Sequence, residues 1–223
     1  MGEFSVGTER SGFSVVVAMD RNRGIGNKGD LPWPKLKGDM KFFRELTTCP
    51  DRAAVEKRWG LRLEESAETK SWEDVSAMLK FAHPLPEAII RNVAIMGRKT
   101  YESLPDAFRP LPGRLNISLS KATSPVSYWA DDNLKRCFRF EYALEKNSVT
   151  PWDQEQLFVI GGGQIFEIAA QHQDCNHLYV TEIDAVFECD TFFPKTPDFH
   201  PVLSSPWIEE NGIRYRFRRY DRT

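Results

Sequence analysis

The sequence lacks any run of about 18 apolar residues, so no helix in it is suited to span a membrane. Cysteine is scarce. Cys49, Cys137, Cys175 and Cys189 are four in 223 residues, too few for a disulfide scaffold, and no two have the spacing of a zinc knuckle. They read as free thiols of a reducing compartment. An excess of one charge is also missing: 30 lysines and arginines against 32 aspartates and glutamates leave −2. A general nucleic-acid binder is usually basic, so that class is disfavoured. A small anionic ligand is not, because it needs only a local basic cluster. His83, His172, His177 and His200 are scattered without metal-binding spacing, so no metal site is expected. The first six residues, MGEFSV, lack the apolar core of a signal peptide, and Val6 stands where a myristoylation signal needs Ser or Thr. The expected location is cytoplasmic.

What is present suffices for a core. Hydrophobic residues are 41% and aromatics 12%, which excludes a wholly disordered chain. The length suits one domain spanning 1–223. Residues 1–11 read as a polar leader. Residues 13–19, FSVVVAM, are apolar and β-rich, as in a strand buried on both faces. A loop with Gly24, Gly26 and Gly29 follows, then Leu31-Pro32-Trp33-Pro34. Asp39 opens a helix in which Met40, Phe42, Phe43 and Leu46 recur at helical spacing.

Residues 48–92 differ in character. From 51 to 81, 13 of 31 positions are charged against 28% overall, so the segment reads as a solvent-facing insertion with one or two helices. Ser71 and Asp74 form a capping-box pattern, and Trp72, Val75, Leu79 and Ala82 follow at helical spacing.

The core pattern resumes with strands at 93–96, 115–119, 126–129, 157–160 and 177–184. Helices are expected at 98–104, 134–144 and from the glycines at 161–163 to about 171. In the tail Ile213, Tyr215 and Phe217 alternate with Arg214, Arg216 and Arg218, a strand with one wet face. Residues 207–209 pair with it across Asn211-Gly212. Strands alternating with helices predict an α/β fold: a mostly parallel central sheet flanked by helices, with an antiparallel C-terminal strand. Ligands of such sheets bind at the carboxyl ends of strands, where the glycine clusters fall.

Gly161-Gly162-Gly163 between a strand and a helix has two readings, a phosphate cradle at a helix N-terminus or a plain tight turn. Arg98, Lys99 and Thr100 open another helix after Gly97. Cations there oppose the helix dipole, which favours an anionic ligand over a solvated helix start. Ser120-Lys121 repeats the theme after a strand. Together these junctions imply a dinucleotide with an extra phosphate, NADPH rather than NADH. Asp39 is either an N-cap or first-turn acid, or a buried one, whose pKa burial would raise.

Nine segments in one order carry a resemblance: SVVVAMD (14–20), GIG (24–26), LPW (31–33), DMKFF (39–43), MGRKTYESLP (96–105), RPLPGRLNISLS (109–120), FVIGGGQIF (158–166), LYVTEID (178–184) and CDTFFP (189–194). The chain resembles the dihydrofolate reductase family over nearly everything outside 1–12 and 48–92. The resemblance implies NADPH-dependent reduction of 7,8-dihydrofolate to 5,6,7,8-tetrahydrofolate, feeding one-carbon metabolism and thymidylate synthesis. Asp39 resembles the carboxylate that anchors the pterin and promotes its protonation. Trp33 resembles the residue that positions the water involved, and Thr181 the hydroxyl that bonds the acid. Val16, Val17, Met40, Phe43, Leu104, Leu111, Arg114 and Ile160 are implied as substrate contacts, with Arg114 on the glutamate carboxylate. Implied cofactor contacts are Ala18, Ile25, Gly97, Arg98, Lys99, Thr100, Ser120, Lys121, Gly161, Gly162, Gly163, Gln164, Ile165 and Phe166. Antifolates such as methotrexate are implied ligands.

There are departures. Position 166 is Phe where the family usually has Tyr, and Asp30 adds a charge to the loop at 21–33. The insertion lies where bifunctional reductase–thymidylate synthases often carry extra residues, so a synthase domain in a longer chain is one expectation. Two other readings remain open: a catalytically silent folate- or NADPH-binding homologue, and a riboflavin-pathway reductase sharing the fold.

Overall fold

The computed structural model describes residues 12–49, 51–62, 69–71, 91–121, 128–131, 133–147 and 156–223. The leader at 1–11 and the helix expected after Ser71 lie outside the described residues. The middle of the sheet is parallel. Its order is β9 (Cys175–Ile183), β1 (Phe13–Met19), β8 (Leu157–Gly161), β4 (Asn92–Gly97), β5 (Arg114–Leu119) and β7 (Leu134–Cys137). Strands β1, β4 and β5 are almost wholly buried, because helices cover both faces.

Beyond β9 the sheet turns antiparallel. Strand β13 (Ile213–Arg222) pairs with β9, placing Tyr215 opposite Ile183 and Phe217 opposite Thr181. Strand β12 (Trp207–Glu210) is its hairpin partner. Asn211 (φ 55°) and Gly212 (φ 71°) make the turn, the left-handed pair that such a two-residue hairpin demands. As the alternation predicts, Ile213, Tyr215 and Phe217 are buried. On the other side Arg214 and Arg216 stack on the Trp207 ring, at 4.3 and 4.5 Å from its centroid. Among the strands not foreseen are β11 (Phe199–Ser204), beside β13, and the short pair β10 (Thr191–Phe192) and β2 (Gly24–Gly26), the latter within the expected loop.

The helix expected over 134–144 is corrected. Leu134–Cys137 is a strand that supplies the free edge of β5 with hydrogen bonds, and α4 (Phe140–Asn147) starts after it. The strand expected over 126–129 is β6 (Tyr128–Asp131).

Two cores lie on opposite faces of the sheet. Val15, Val17, Ile95, Ile117 and Val159 face α4 and α5 (Gly163–Gln171). Val16, Phe158, Tyr179 and Phe217 face α1 (Lys37–Thr48). The first part of the charged segment joins this second core, which corrects the reading of it as a surface feature. Helix α2 (Arg52–Arg58) is capped by the Asp51 carboxylate, which accepts from Ala54 N at 3.0 Å. It delivers Val55, Trp59 and Leu61 into burial. Trp59 packs edge-on against Phe42 and Phe217, which stack with centroids 4.0 Å apart. Strand β3 (Thr69–Ser71) then adds to β12 in parallel.

Candidate active site

Helix α1 begins at Lys37, half a turn before the expected start, so Asp39 belongs to its first turn and is not its cap. The residue at the cap, Leu36, offers no side-chain oxygen. The second core draws the apolar face of α1 inward, and Asp39 goes with it, to 9% exposure. Thr181, in register with Ala18 near the carboxyl end of β9, donates its hydroxyl to Asp39 Oδ1 at 2.7 Å. Burial pushes the Asp39 carboxyl from 3.8 up to about 6, the Thr181 bond pulls it back, and the charge of Glu210 raises it further. It is therefore poised to hold or release a proton near neutral pH.

The core that α1 packs against is apolar. Val16, Trp33, Leu36 and Phe42 form one cluster, with Ala18, Phe43 and Ile160 packed against it. Phe43 and Ile160 also pack against a third cluster containing Leu111, Met96 and Tyr101, with Leu104 at its margin. Phe43 and Ile160 thus join the two clusters. Met40 is 44% exposed. The indole N–H of Trp33 is buried and finds no acceptor among the described residues.

Arg114 adjoins Phe43. It is 3% exposed, its guanidinium lies 5.6 Å over the Phe43 ring, and it donates to Thr47 Oγ1 at 2.6 Å and to Pro112 O at 3.2 Å. Burial, with Arg44 nearby, pulls its pKa down to about 10, so it remains a cation at neutral pH. It makes no ion pair among the described residues, and a buried cation without a carboxylate is costly. An anionic ligand would remove that cost.

Val17 is divided from its neighbours. Strand alternation turns its side chain to the opposite core, with Val15 and Ile95. It can meet a ligand on the Asp39 face through its backbone alone, which corrects the pairing of Val16 and Val17 as equivalent contacts.

The glycine junctions come together at the carboxyl ends of β4 and β8. A Cβ on Gly161 would stand 3.0 Å from Thr100 Cγ2, and one on Gly162 2.9 Å from Thr100 Oγ1. Gly161 has φ 149°, open to glycine but strained for other residues, and its peptide bond to Gly162 is cis. A Cβ on Gly97 would meet Ile165 at 3.3 Å. Side chains are thus excluded where the N-terminus of α5 opens, and that helix has neither a side-chain cap nor a first-turn acid. This is the cradle an anionic dinucleotide fits. Gln164 is exposed there, as are Lys99 in the first turn of α3 (Arg98–Ser103) and Lys121 just past β5, with Ser120 half-buried beside it. Arg98 is paired with Glu102 at 2.8 Å in an exposed bridge. Ile25, Ile165 and Phe166 pack with the first core, where Phe166 meets Phe193 edge-on at 5.4 Å.

The loop at 21–33 is strapped at several points. Asp20 accepts from the backbone N–H of Asn22, Gly24 and Phe187, and Asp190 accepts from Lys28 N at 2.7 Å. The Lys28 and Thr191 hydrogen bonds hold the Asp190 carboxyl below its usual value.

Sequence reasoning missed Thr47, Asp20, Tyr215 and Glu210. The signal for Glu210 was available: counting back from Ile213 across the hairpin puts it on the inward face.

Comparison with known proteins agrees with this geometry. The dihydrofolate reductase family profile matches residues 12–51 and 86–222. The chain belongs to the dihydrofolate reductase family. That family's reaction is the reduction of dihydrofolate to tetrahydrofolate, an oxidoreductase activity. Dihydrofolate reductase of Aedes albopictus is 34% identical over 218 residues, which are 94% of this chain and 97% of the relative. That of Drosophila melanogaster is 32% identical, covering 92% and 95%. The bifunctional dihydrofolate reductase-thymidylate synthase of Daucus carota is 37% identical over 94% of this chain but 34% of its own length. The chain thus spans about a third of such bifunctional relatives. The family match leaves out 52–85, most of the charged segment.

Proposed function

We propose that this chain reduces 7,8-dihydrofolate to 5,6,7,8-tetrahydrofolate with NADPH, and that Asp39 governs the proton the reaction consumes. The observation that carries the reading is the buried Asp39 carboxyl, bonded to Thr181 and raised to about 6. A carboxylate there can form a charge-assisted pair with an aminopyrimidine and favour protonation of the adjacent ring. The free Trp33 N–H suits holding the water that would carry the proton. Val16, Met40, Phe43, Leu104, Leu111 and Ile160 would enclose the ring system, and Arg114 would take a carboxylate of the glutamate tail by a two-pronged bond. Methotrexate, with the same aminopyrimidine and glutamate, would use the same groups.

The cofactor would be held by Gly97, Thr100 and Gly161 to Gln164 at its pyrophosphate, by Arg98 and Lys99 at its flank, and by Ser120 and Lys121 at an extra phosphate. Ala18, Ile25, Ile165 and Phe166 would line its path. When bound, NADPH supplies a hydride. The protein's part is to orient substrate, exclude water under the 21–33 loop and control one proton. The reductase is read as a single domain with an insertion at about 48–92, cytoplasmic, and open to a neighbouring thymidylate synthase domain as in the bifunctional relatives.

The decisive experiment follows NADPH absorbance on adding dihydrofolate, for wild type and Asp39→Asn across pH. The variant should lose about 100-fold or more at neutral pH and less under acid conditions, where solution protonates the substrate. Undiminished neutral-pH turnover in the variant would reject the role. Absence of NADPH consumption by the wild type would favour a silent binding homologue.

A further inference from the structure

Helix α1 has no side-chain cap of its own, yet Gly38 and Asp39 of its first turn are buried. The missing acceptor comes from more than 170 residues away. Glu210 of β12 accepts from Lys37 N at 2.7 Å through Oε1 and from Gly38 N at 3.0 Å through Oε2. Tyr215 of β13 donates its hydroxyl to Glu210 Oε2 at 3.0 Å, which fixes the carboxylate from behind. Glu210 is 6% exposed. The next residue along the helix is Asp39.

We propose that Glu210 is a positioning residue for the reaction: bonded to Lys37 N and Gly38 N, it clamps the amino end of α1, and so sets the place of Asp39 and its response to pH. The inference rests on the assignment of Asp39 as the proton-governing carboxylate. The groups facing Asp39 are consistent with it. Strand β12 presents Glu210 and β13 presents Tyr215, itself raised by burial, by Glu210 and by Asp39. Strand β9 presents the neutral Thr181 hydroxyl, and β1 presents Val16 and Ala18, neither of them charged. The basic neighbours on α1 are Lys37, which is exposed, and Lys41, which is half-buried. A second carboxyl group held against the helix turn that carries Asp39 opposes a further negative charge there. Glu210 has two backbone N–H groups and a hydroxyl; Asp39 has one hydroxyl.

The test is a carbon-13 titration of the Asp39 carboxyl in wild type, Glu210→Gln and Tyr215→Phe, alongside the pH profile of hydride transfer. In Glu210→Gln the Asp39 midpoint should fall by about half a unit or more, and the rate profile should move to lower pH with it. Tyr215→Phe loosens the clamp but keeps the charge, so its melting temperature should fall while the midpoint stays near wild type. A merely structural cap would lower the melting temperature of Glu210→Gln and leave the midpoint in place, which would overturn the proposal. An equal midpoint shift in Tyr215→Phe would also overturn it. If Glu210→Gln does not fold, Glu210→Asp draws the charge back by one methylene. The midpoint should then fall by less, and an unchanged midpoint is again fatal. A wild-type rate with no pH-dependent limb near the Asp39 midpoint would reject the role of Asp39, and the carboxyl titration would still judge Glu210.

Discussion

At the residue scale, a group tuned for chemistry costs stability. Folding raises the Asp39 carboxyl from 3.8 to about 6, so the native chain holds that proton more tightly than the unfolded chain. Below about pH 3.8 the carboxyl is protonated in both states and carries no penalty. Stability then falls as pH climbs towards 6, and above that the full penalty persists, at most about 3 kcal/mol. Asp39→Asn removes the ionisable group. Urea unfolding should therefore show the variant more stable than wild type at pH 8, with the gain vanishing towards pH 4. A gain independent of pH would mean that the charge is not its origin. Arg114 embodies the same exchange, a buried cation with Thr47 and Pro112 as partners and no carboxylate among the described residues. Asp39 and Arg114 were legible in the sequence through the motifs around them. The partner Thr47 was not, because a hydrogen bond spanning 67 residues leaves no local pattern; for Glu210 the hairpin register gave its inward face but not its bond to Gly38, 172 residues away.

At the element scale, helix α1 is held from both ends of the chain. Its amino end meets Glu210, and its back meets α2 of the charged segment. Trp59 binds the two together: its ring packs on Phe42 and Phe217, and its N–H donates to the buried Glu45 at 2.8 Å. Trp59→Ala should cost about 3–5 kcal/mol in urea unfolding, from the cavity and the lost hydrogen bond to Glu45, which keeps Arg58 at 3.5 Å. Trp59→Phe, which refills most of the space, should cost clearly less. Near-equal losses would assign the contribution to the N–H bond rather than to packing. The charge density of this segment pointed outward, and among the described residues Asp51, Lys57 and Arg62 are exposed while Glu56 is buried. That inference misjudged Val55, Trp59 and Leu61 because one apolar residue of the short helix and two just past its end are enough to dock it, and so few leave no periodic pattern. The strand at Leu134–Cys137 was misread for a related reason. Its four residues are too few for a period, and the free edge of β5 decided their conformation.

At the scale of the whole molecule, the glycine junctions lie at the carboxyl ends of β4 and β8, and Thr181, the partner of Asp39, lies near the carboxyl end of β9 in the same parallel sheet. If Ser120 and Lys121 serve an extra phosphate, NADPH should stabilise the fold more than NADH at equal concentration. At 100 times its Kd, NADPH adds about 2.7 kcal/mol, a rise of several degrees in Tm for a chain of this size. Equal shifts with both cofactors would remove Ser120 and Lys121 from that role. The sequence by itself determined the α/β class, the parallel centre with its antiparallel hairpin, and the positions of Asp39, Arg114 and the glycine junctions. These follow from periodicity, turn chemistry and family motifs, all of them local. Only the tertiary structure decided which face each strand residue takes, parting Val17 from Val16, and which distant groups meet. The docking of α2 under α1 and the clamp of Glu210 on its first turn belong there too. Burial and the field of a neighbouring charge set the Asp39 pKa, and both depend on what the fold brings into contact, not on the order of residues beside it.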